Sequence, residues 1–233
     1  LLRHLQDFAV QRAAGVVFAT RELFMWYADW PWKRPPAVVI PNGVDLEHFR
    51  PLWRCPPGKR RVVYVGRLSR EKNLPLLAAA CQEVGATLPL FGAGPRAAQL
   101  AALPGVTAYG PVPHYALPKI LADFDCFALA SSTEGSPKSA LEAMATGLPC
   151  VLADRASQGL GAWNPAYPAW MPENGDLAGA VAFVLDDPAV AKGIGRAGRD
   201  LVEAHHDLKK TLADEVAFVH NAVEAHAQQA RQA

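Results

Sequence analysis

The feature that most constrains the fold is an alternation of short apolar, β-rich runs with helix-like stretches through the middle of the chain. The predicted strands are Val62–Val65, Thr87–Phe91, Val106–Tyr109, Cys126–Ala130 and Cys150–Ala153. The predicted helices between them are Leu74–Val84, Arg96–Leu103, Pro113–Ala122 and Pro137–Thr146. This order indicates βαβ units and a parallel sheet covered on both faces. The predicted fold class is therefore α/β, a doubly wound Rossmann-like parallel sheet whose ligands bind beyond the carboxyl ends of the strands.

Both ends of the chain differ from this pattern. Residues 1–14 read as a helix, followed by short strands near Val16–Ala19 and Val38–Ile40, which are too few to close a sheet. Residues 154–175 read as loops with a short strand near Trp170, and helices follow to about Leu185 and to His205. The division expected is 1–44 as the last part of an earlier domain plus linker, 45–206 as the main domain, and 207–233 as an amphipathic helix. One face of that helix carries a stripe of apolar residues, which should cover this domain or a neighbour. The stripe consists of Leu208, Leu212, Val216, Val219 and Val223.

Composition excludes several classes of protein. With 51% apolar and 19% charged residues, the 233-residue chain can bury a core, which excludes general disorder. A net charge of +1 argues against nucleic-acid binding by bulk charge. No apolar run is long enough for a membrane span, and the first residues lack a signal-peptide pattern, so we expect a cytoplasmic protein. The four separated cysteines favour neither a zinc site nor a disulfide framework.

Two cations follow the first central strand. Gly66 allows a sharp turn, and Arg67 and Lys72 then project at the edge where ligands bind. Two fixed cations there suit a diphosphate, although solvated surface cations would give the same pattern. Asn73 is the expected cap of the next helix, with Pro75 in its first turn.

Two carboxylates frame the start of a later helix. Ser136 is the expected N-cap and Pro137 the first helical residue, so the helix N-terminus offers amides to an anion. Glu134 lies in the loop before this helix and Glu142 lies inside it, where a carboxylate can accept hydrogen bonds from a ribose diol. The alternative interpretation is that an acidic residue at the start of the helix interacts favourably with the helix dipole. This interpretation fits Glu134 better than Glu142.

Further candidates carry weaker signals. Gly92 and Gly94 resemble a phosphate loop, but a simple strand-to-helix turn explains them equally well. The turn around Val112 offers backbone against which a base could lie. Aromatic residues between Trp26 and Trp32, followed by two cations, suit a membrane surface or a sugar-stacking face, and an aromatic interdomain hinge is the preferred interpretation.

Taken in order, these motifs resemble the family 4 (group 1) retaining glycosyltransferases of the GT-B fold, from about Val38 to Phe218. The matching segments are Pro41-Asn42-Gly43-Val44-Asp45, Gly66-Arg67 with Lys72-Asn73, Gly92-Ala93-Gly94-Pro95, and Glu134 to Glu142 followed by Ala143-Met144-Ala145-Thr146-Gly147-Leu148-Pro149. The spacing from Glu134 to Glu142 is the most specific of these. The chain would then be the C-terminal donor-binding half of a GT-B fold with a remnant of the N-terminal acceptor domain.

The resemblance implies transfer of a sugar from a nucleotide-diphosphate sugar, of UDP or GDP type, with retention of anomeric configuration. It implies no cofactor and no metal, because Arg67, Lys72 and the helix N-terminus stabilise the leaving diphosphate. Glu134 would contact the donor sugar and Glu142 the ribose. The catalytic set is Arg67, Lys72 and Glu134. Donor-binding residues would be Gly66, Gly92, Gly94, Val112, Ser136, Lys138, Ser139 and Glu142.

The sequence also departs from the family. The loop Ser157–Trp163 lacks a Glu that relatives often carry, and Ser136 stands where they often have Phe. The acceptor is unspecified, a lipid-linked or glycan acceptor being compatible, as is peripheral association with a membrane. The alternatives are a truncated or degenerate nucleotide-sugar-binding module without transferase activity, a sugar-nucleotide 2-epimerase, and a structural domain of an assembly. The segment alone is expected to transfer little, because acceptor residues belong to the other domain.

Overall fold

The structure is a computed structural model, and it describes residues 2–29, 34–54, 59–132, 134–153 and 175–232. The predicted loop 157–163, the strand near Trp170, and Trp30 and Trp32 lie outside these residues. Two sheets are present in the described part of the chain, a central one of five strands and a small one of two strands.

The central sheet is entirely parallel. Its strands are β3 (Val62–Val65), β4 (Leu88–Phe91), β5 (Val106–Gly110), β6 (Cys126–Leu129) and β7 (Cys150–Leu152). They lie in the order β5-β4-β3-β6-β7, so the chain reverses direction of winding between β3 and β6. The predicted α/β architecture is confirmed, and each strand begins and ends within one residue of the apolar run that predicted it.

Helices connect these strands and cover the sheet. They are α3 (Leu74–Glu83), α4 (Ala97–Ala101), α5 (Leu117–Ala122) and α6 (Lys138–Ala145), with 3₁₀ turns at Arg70–Lys72 and His114–Ala116. Two further helices, α7 (Leu177–Asp186) and α8 (Pro188–His205), begin at the capping carboxylates Asp176 and Asp187. The core lies on both faces of the sheet, and every residue of β4, β6 and β7 is buried.

The N-terminal segment forms a unit of its own. It contains α1 (Leu2–Arg12), β1 (Val16–Phe18), α2 (Arg21–Ala28) and β2 (Ala37–Val39). Strands β1 and β2 pair in parallel with each other. The two strands predicted here are thus confirmed, and they form a separate sheet.

The last helix, α9 (Leu208–Gln232), returns to this N-terminal unit. Its Phe218 and Ala222 pack so close to Gly15 that a Cβ there would meet them at 2.9–3.0 Å. The five stripe residues are 40–55% exposed, so the stripe does not cover the described part of this domain, and its contact with a neighbour stays a prediction. Thr211 and Ala222, on another face, are the buried residues instead. In the described part of the chain, no helix combines the length and apolar character needed to cross a membrane.

Two predicted helix caps are also wrong in detail. Asn73 occupies the N-cap position of α3 but adopts a left-handed conformation with φ of 50°, and its side chain makes no capping bond. Ser136 does not cap α6, because the helix begins at Lys138 and Pro137 occupies the N-cap position. The proline therefore sits one position earlier than expected, and the Ser136 hydroxyl is left for another role.

Candidate functional site

The turn after β3 is held by close backbone packing. Gly66 has φ of +151°, and its amide donates to the carbonyl of Phe91 at the end of β4, at 2.9 Å. The Tyr64 hydroxyl donates to the carbonyl of Arg67 at 2.9 Å. Burial, followed by the nearby carboxylates of Glu134 and Glu71, raises the pKa of Tyr64 well above its usual value, so it remains a donor. Tyr64 thus fixes the backbone from which the Arg67 guanidinium projects.

Gly92 and Gly94 allow the neighbouring turn to approach this one. A Cβ on Gly92 would lie 1.9 Å from the carbonyl oxygen of Gly66, and one on Gly94 would lie 2.3 Å from that of Leu68. Only glycine fits such a backbone-to-backbone contact. The strand-to-helix turn is therefore the role that the structure gives them, while their contact with a donor remains a prediction.

The 3₁₀ turn Arg70–Lys72 brings a cation to the end of β6. Lys72 Nζ lies 2.5 Å from Glu134 Oε1, and both side chains are mostly buried. The preceding Glu71 accepts a hydrogen bond from Ser69 Oγ at 2.6 Å, which holds its pKa below the usual value. The Ser132 amide donates to the carbonyl of Glu71 at 3.0 Å and joins the two loops.

The N-terminus of α6 faces the same space. The amides of Ala140 and Leu141 donate to the carbonyl of Pro137, at 3.0 and 3.1 Å, so those of Lys138 and Ser139 precede the first helical hydrogen bond. Asn42 Nδ2 donates to the carbonyl of Ser136 at 3.2 Å and fixes the entry to the helix. Ser136 Oγ is buried and has no hydrogen-bond partner among the described residues. This arrangement can receive an anion and offer it a hydroxyl.

Glu142 lies further along α6 with its side chain almost fully buried. His114 Nε2 lies 2.9 Å from Glu142 Oε1. Because a carboxylate only accepts hydrogen bonds, the imidazole donates from Nε2. Among the described residues the other oxygen, Oε2, has no hydrogen-bond partner.

These groups line one open cavity of about 550 Å³ at the carboxyl ends of β3 and β6. This is where the strand order reverses, which is the usual ligand site of such sheets. Of the sequence-predicted site residues, the cavity brings together Gly66, Arg67, Lys72, Glu134, Ser136, Lys138, Ser139 and Glu142. The described lining does not include Gly92, Gly94 or Val112, and Val112 packs against the core. A group of three or more metal-ligating side chains is absent from the described residues.

Some lining residues were missed from the sequence. Asn42, Tyr64 and Glu71 line the cavity, and His114 touches Glu142 from its edge. Asn42 belongs to a Pro-Asn-Gly turn 94 residues before Ser136, and a turn signal does not reveal a contact over that separation. His114 was also missed, and its place four residues after the end of β5 is the signal that could have indicated its proximity to the site.

Fold and cavity together define a class of protein, a parallel α/β domain with an open polar cavity at its topological switch point. The family model "Glycosyl transferases group 1" matches residues 59–187, and the chain belongs to this family. The α/β architecture matches GT-B glycosyltransferase structures, as the sequence predicted.

Two curated relatives have comparable similarity. The chain is 31% identical over 198 residues to glycogen synthase of Mycobacterium tuberculosis, which covers 78% of this chain and 48% of the relative. It is 29% identical over 210 residues to D-inositol 3-phosphate glycosyltransferase of Segniliparus rotundus, which covers 76% of this chain and 44% of the relative. The chain therefore spans about half the length of the curated relatives that it matches.

Solved structures share the fold at lower identity. Sucrose-phosphate synthase of Thermosynechococcus elongatus superposes with a TM-score of 0.82 at 23% identity, covering 95% of this chain and 61% of that one. HepE of Anabaena, in complex with UDP and glucose, superposes with a TM-score of 0.79 at 18% identity, covering 94% and 66%.

Proposed function

We propose that this chain is the donor-binding part of a retaining glycosyltransferase that uses a nucleotide-diphosphate sugar. The observation that carries the proposal is that Arg67, Lys72, the first amides of α6 and Glu142 line one cavity. Two cations and a helix N-terminus suit a diphosphate. A buried carboxylate beyond them suits the ribose hydroxyls.

The geometry supports a division of roles within the cavity. The amides of Lys138 and Ser139 and the Arg67 and Lys72 side chains would hold the diphosphate, while Ser136 Oγ would add a neutral hydrogen bond. Glu134, whose Oε1 lies 2.5 Å from Lys72 Nζ, would orient the sugar attached to that diphosphate. UDP and GDP are the two donor types that the resemblance suggests.

The proposed reaction breaks the bond between the anomeric carbon and the diphosphate oxygen, and the electron pair leaves with the diphosphate. The acceptor hydroxyl attacks from the same face, and the leaving phosphate takes its proton, so the configuration is retained. Arg67, Lys72 and the helix N-terminus stabilise the charge that grows on the leaving group. Because these groups would offset the negative charge of the leaving diphosphate, we propose that the transfer needs no metal ion.

The acceptor is proposed only as a class. Lipid-linked or glycan acceptors, a cytoplasmic location and contact with a membrane surface remain proposals, and no nucleic-acid partner is proposed. Binding without transfer is the alternative, and it is favoured for the chain by itself because the chain spans about half the length of its relatives.

Titration calorimetry with UDP and GDP tests the proposal directly. Binding of one of them is expected, and Arg67→Ala should weaken it. In the whole enzyme, loss of one charge-assisted hydrogen bond of about 1.5–3 kcal/mol would slow transfer by roughly 10- to 150-fold. No binding of either nucleotide, or unchanged turnover in Arg67→Ala, would contradict it. Transfer assays then distinguish the enzyme from a binding module.

A further inference from the structure

The His114 ring contacts the Glu142 carboxylate from outside the predicted site. Its Nε2 donates to Oε1 at 2.9 Å, while 63% of the His114 side chain remains exposed. No motif assigns a role to this histidine. The contact is therefore a separate observation from the cations and the helix N-terminus.

Aromatic packing fixes the orientation of this ring. The His48 ring stacks on it with centroids 5.8 Å apart, and the Phe49 ring meets it edge-on at 5.2 Å. Phe49 is 1% exposed, and its carbonyl accepts a hydrogen bond from Arg199 Nη1 at 2.7 Å. A rotation of the His114 ring away from Glu142 would break both ring contacts.

A second set of bonds holds the segment that carries these rings. Asp45 Oδ1 accepts hydrogen bonds from the amides of Glu47 and His48, both at 3.0 Å. The Phe49 amide donates to the carbonyl of Asp45 at 2.8 Å. The support for His114 is therefore anchored independently of the cavity.

We infer that His114 is a positioning residue that orients Glu142 for recognition of the ribose. The inference rests on the proposed function, in which Glu142 receives the ribose of a nucleoside diphosphate. With Oε1 held by the imidazole, the carboxylate has one rotamer and presents Oε2 to the cavity. A fixed acceptor binds a hydroxyl more strongly than a mobile one, because less conformational freedom is lost on binding.

This arrangement makes His114 a determinant of sugar selectivity within the nucleotide. A ribose hydroxyl fills the place opposite Oε2, whereas a deoxyribose covers this carboxylate oxygen without giving it a partner. Leaving such a group unpaired costs about 1–3 kcal/mol, or roughly 5- to 150-fold in affinity. Without His114, Glu142 can turn toward solvent, and this penalty is largely lost.

Calorimetry with UDP, 2′-deoxy-UDP and 3′-deoxy-UDP tests the inference. Wild type should prefer UDP over at least one deoxy analogue by about 10-fold or more. His114→Ala should lower the affinity for UDP and leave that for the disfavoured analogue within about twofold, so that the preference collapses. His114→Gln, whose amide can donate near the position of Nε2, should restore most of it.

Two controls distinguish positioning from general disturbance. Tyr115→Ala removes a 76% exposed side chain from the same turn and should keep the wild-type preference. The melting temperature of each variant checks the fold. The inference is wrong if His114→Ala keeps the wild-type preference, or if Gln restores nothing. Failure of the proposed function looks different, because wild type would then bind no UDP or Glu142→Ala would bind it unchanged.

Discussion

Lys72 Nζ and Glu134 Oε1 lie 2.5 Å apart, so the cation proposed to grip the diphosphate is already neutralised by a carboxylate. The Lys72 and Glu134 side chains are only 19% and 11% exposed, so water screens the pair weakly. An incoming diphosphate must therefore compete with Glu134 for this cation. In the proposed function, the Glu134 carboxylate would occupy the place of a phosphate oxygen until the ligand binds.

Glu134→Gln should accordingly bind UDP more tightly than wild type. The variant removes the competing negative charge and keeps a side chain of similar size. An increase of about 3- to 10-fold is expected, corresponding to about 1 kcal/mol. Calorimetry measures it, and Lys72→Met is the matched variant that should weaken binding. If Glu134→Gln binds UDP equally well or more weakly than wild type, Glu134 does not compete with the diphosphate for Lys72.

Gly92→Ala should unfold or strongly destabilise the protein. The added Cβ would lie 1.9 Å from the carbonyl oxygen of Gly66, at a residue with φ of +143°. Both effects together should lower the free energy of unfolding by at least about 3 kcal/mol. Urea denaturation followed by circular dichroism measures the change.

Gly193→Ala provides the matched control for this substitution. Gly193 lies in α8 and has no positive φ, and no other described part of the chain comes within 4 Å of an added Cβ. Alanine should stabilise the helix there by about 0.5–1 kcal/mol. Similar destabilisation by both substitutions would contradict the close approach of the two turns.

Sequence reasoning located the sheet and most of the cavity because both depend on local signals. Continuous apolar runs marked β3 and β6, and the residues after a strand end necessarily lie at one edge of a parallel sheet. Contacts between distant segments were not accessible in this way. The bond from Asn42 to Ser136 and that from His114 to Glu142 depend on how the loops fold back.

Two of the expectations that the structure corrects have related causes. An apolar stripe on α9 identifies a face of a helix, and it does not identify what covers that face. Ser136 has the chemistry of a cap, but the helix begins at Lys138, one residue later than predicted, because Pro137 takes the N-cap position. In both cases the residue pattern was local while the outcome depended on neighbouring elements.

The buried thiols of Cys81, Cys126 and Cys150 should make the protein less stable in alkali. Burial raises the pKa of the Cys81 thiol from 9.0 to about 12, and it raises those of Cys126 and Cys150 as well. A raised pKa means that the unfolded state loses its proton first as pH rises. The thiols therefore leave the free energy of unfolding unchanged below about pH 9. Above that pH, each thiol lowers it by about 1.4 kcal/mol per pH unit until the thiol's pKa in the folded state is reached.

Urea denaturation at pH 8, 10 and 11 measures this dependence. Cys81→Ala should be less stable than wild type at pH 8 because of the cavity, yet its stability should fall less steeply above pH 9. The difference in slope should be about 1.4 kcal/mol per pH unit. Parallel pH profiles for the two proteins would show that Cys81 titrates alike in both states.

Asn42 links the cavity to the end of α8, and we expect its substitutions to weaken UDP binding in a definite order. His206 Nδ1 donates to the Asn42 carbonyl at 2.9 Å, while Asn42 Nδ2 donates to the carbonyl of Ser136 at 3.2 Å. Asn42→Ala loses the second bond, worth about 1 kcal/mol, and loosens the entry to α6. Asn42→Asp also loses that donor and adds a negative charge to the lining of the cavity.

Affinity for UDP should therefore fall in the order Asn42, Ala, Asp. Alanine should cost about 3- to 10-fold, and aspartate more, because a carboxylate repels both the Ser136 carbonyl and the diphosphate. Raising the salt concentration should narrow the gap between aspartate and alanine and leave the gap between alanine and wild type nearly unchanged. If the aspartate variant binds UDP as well as the alanine variant at low salt, Asn42 does not lie near the bound diphosphate.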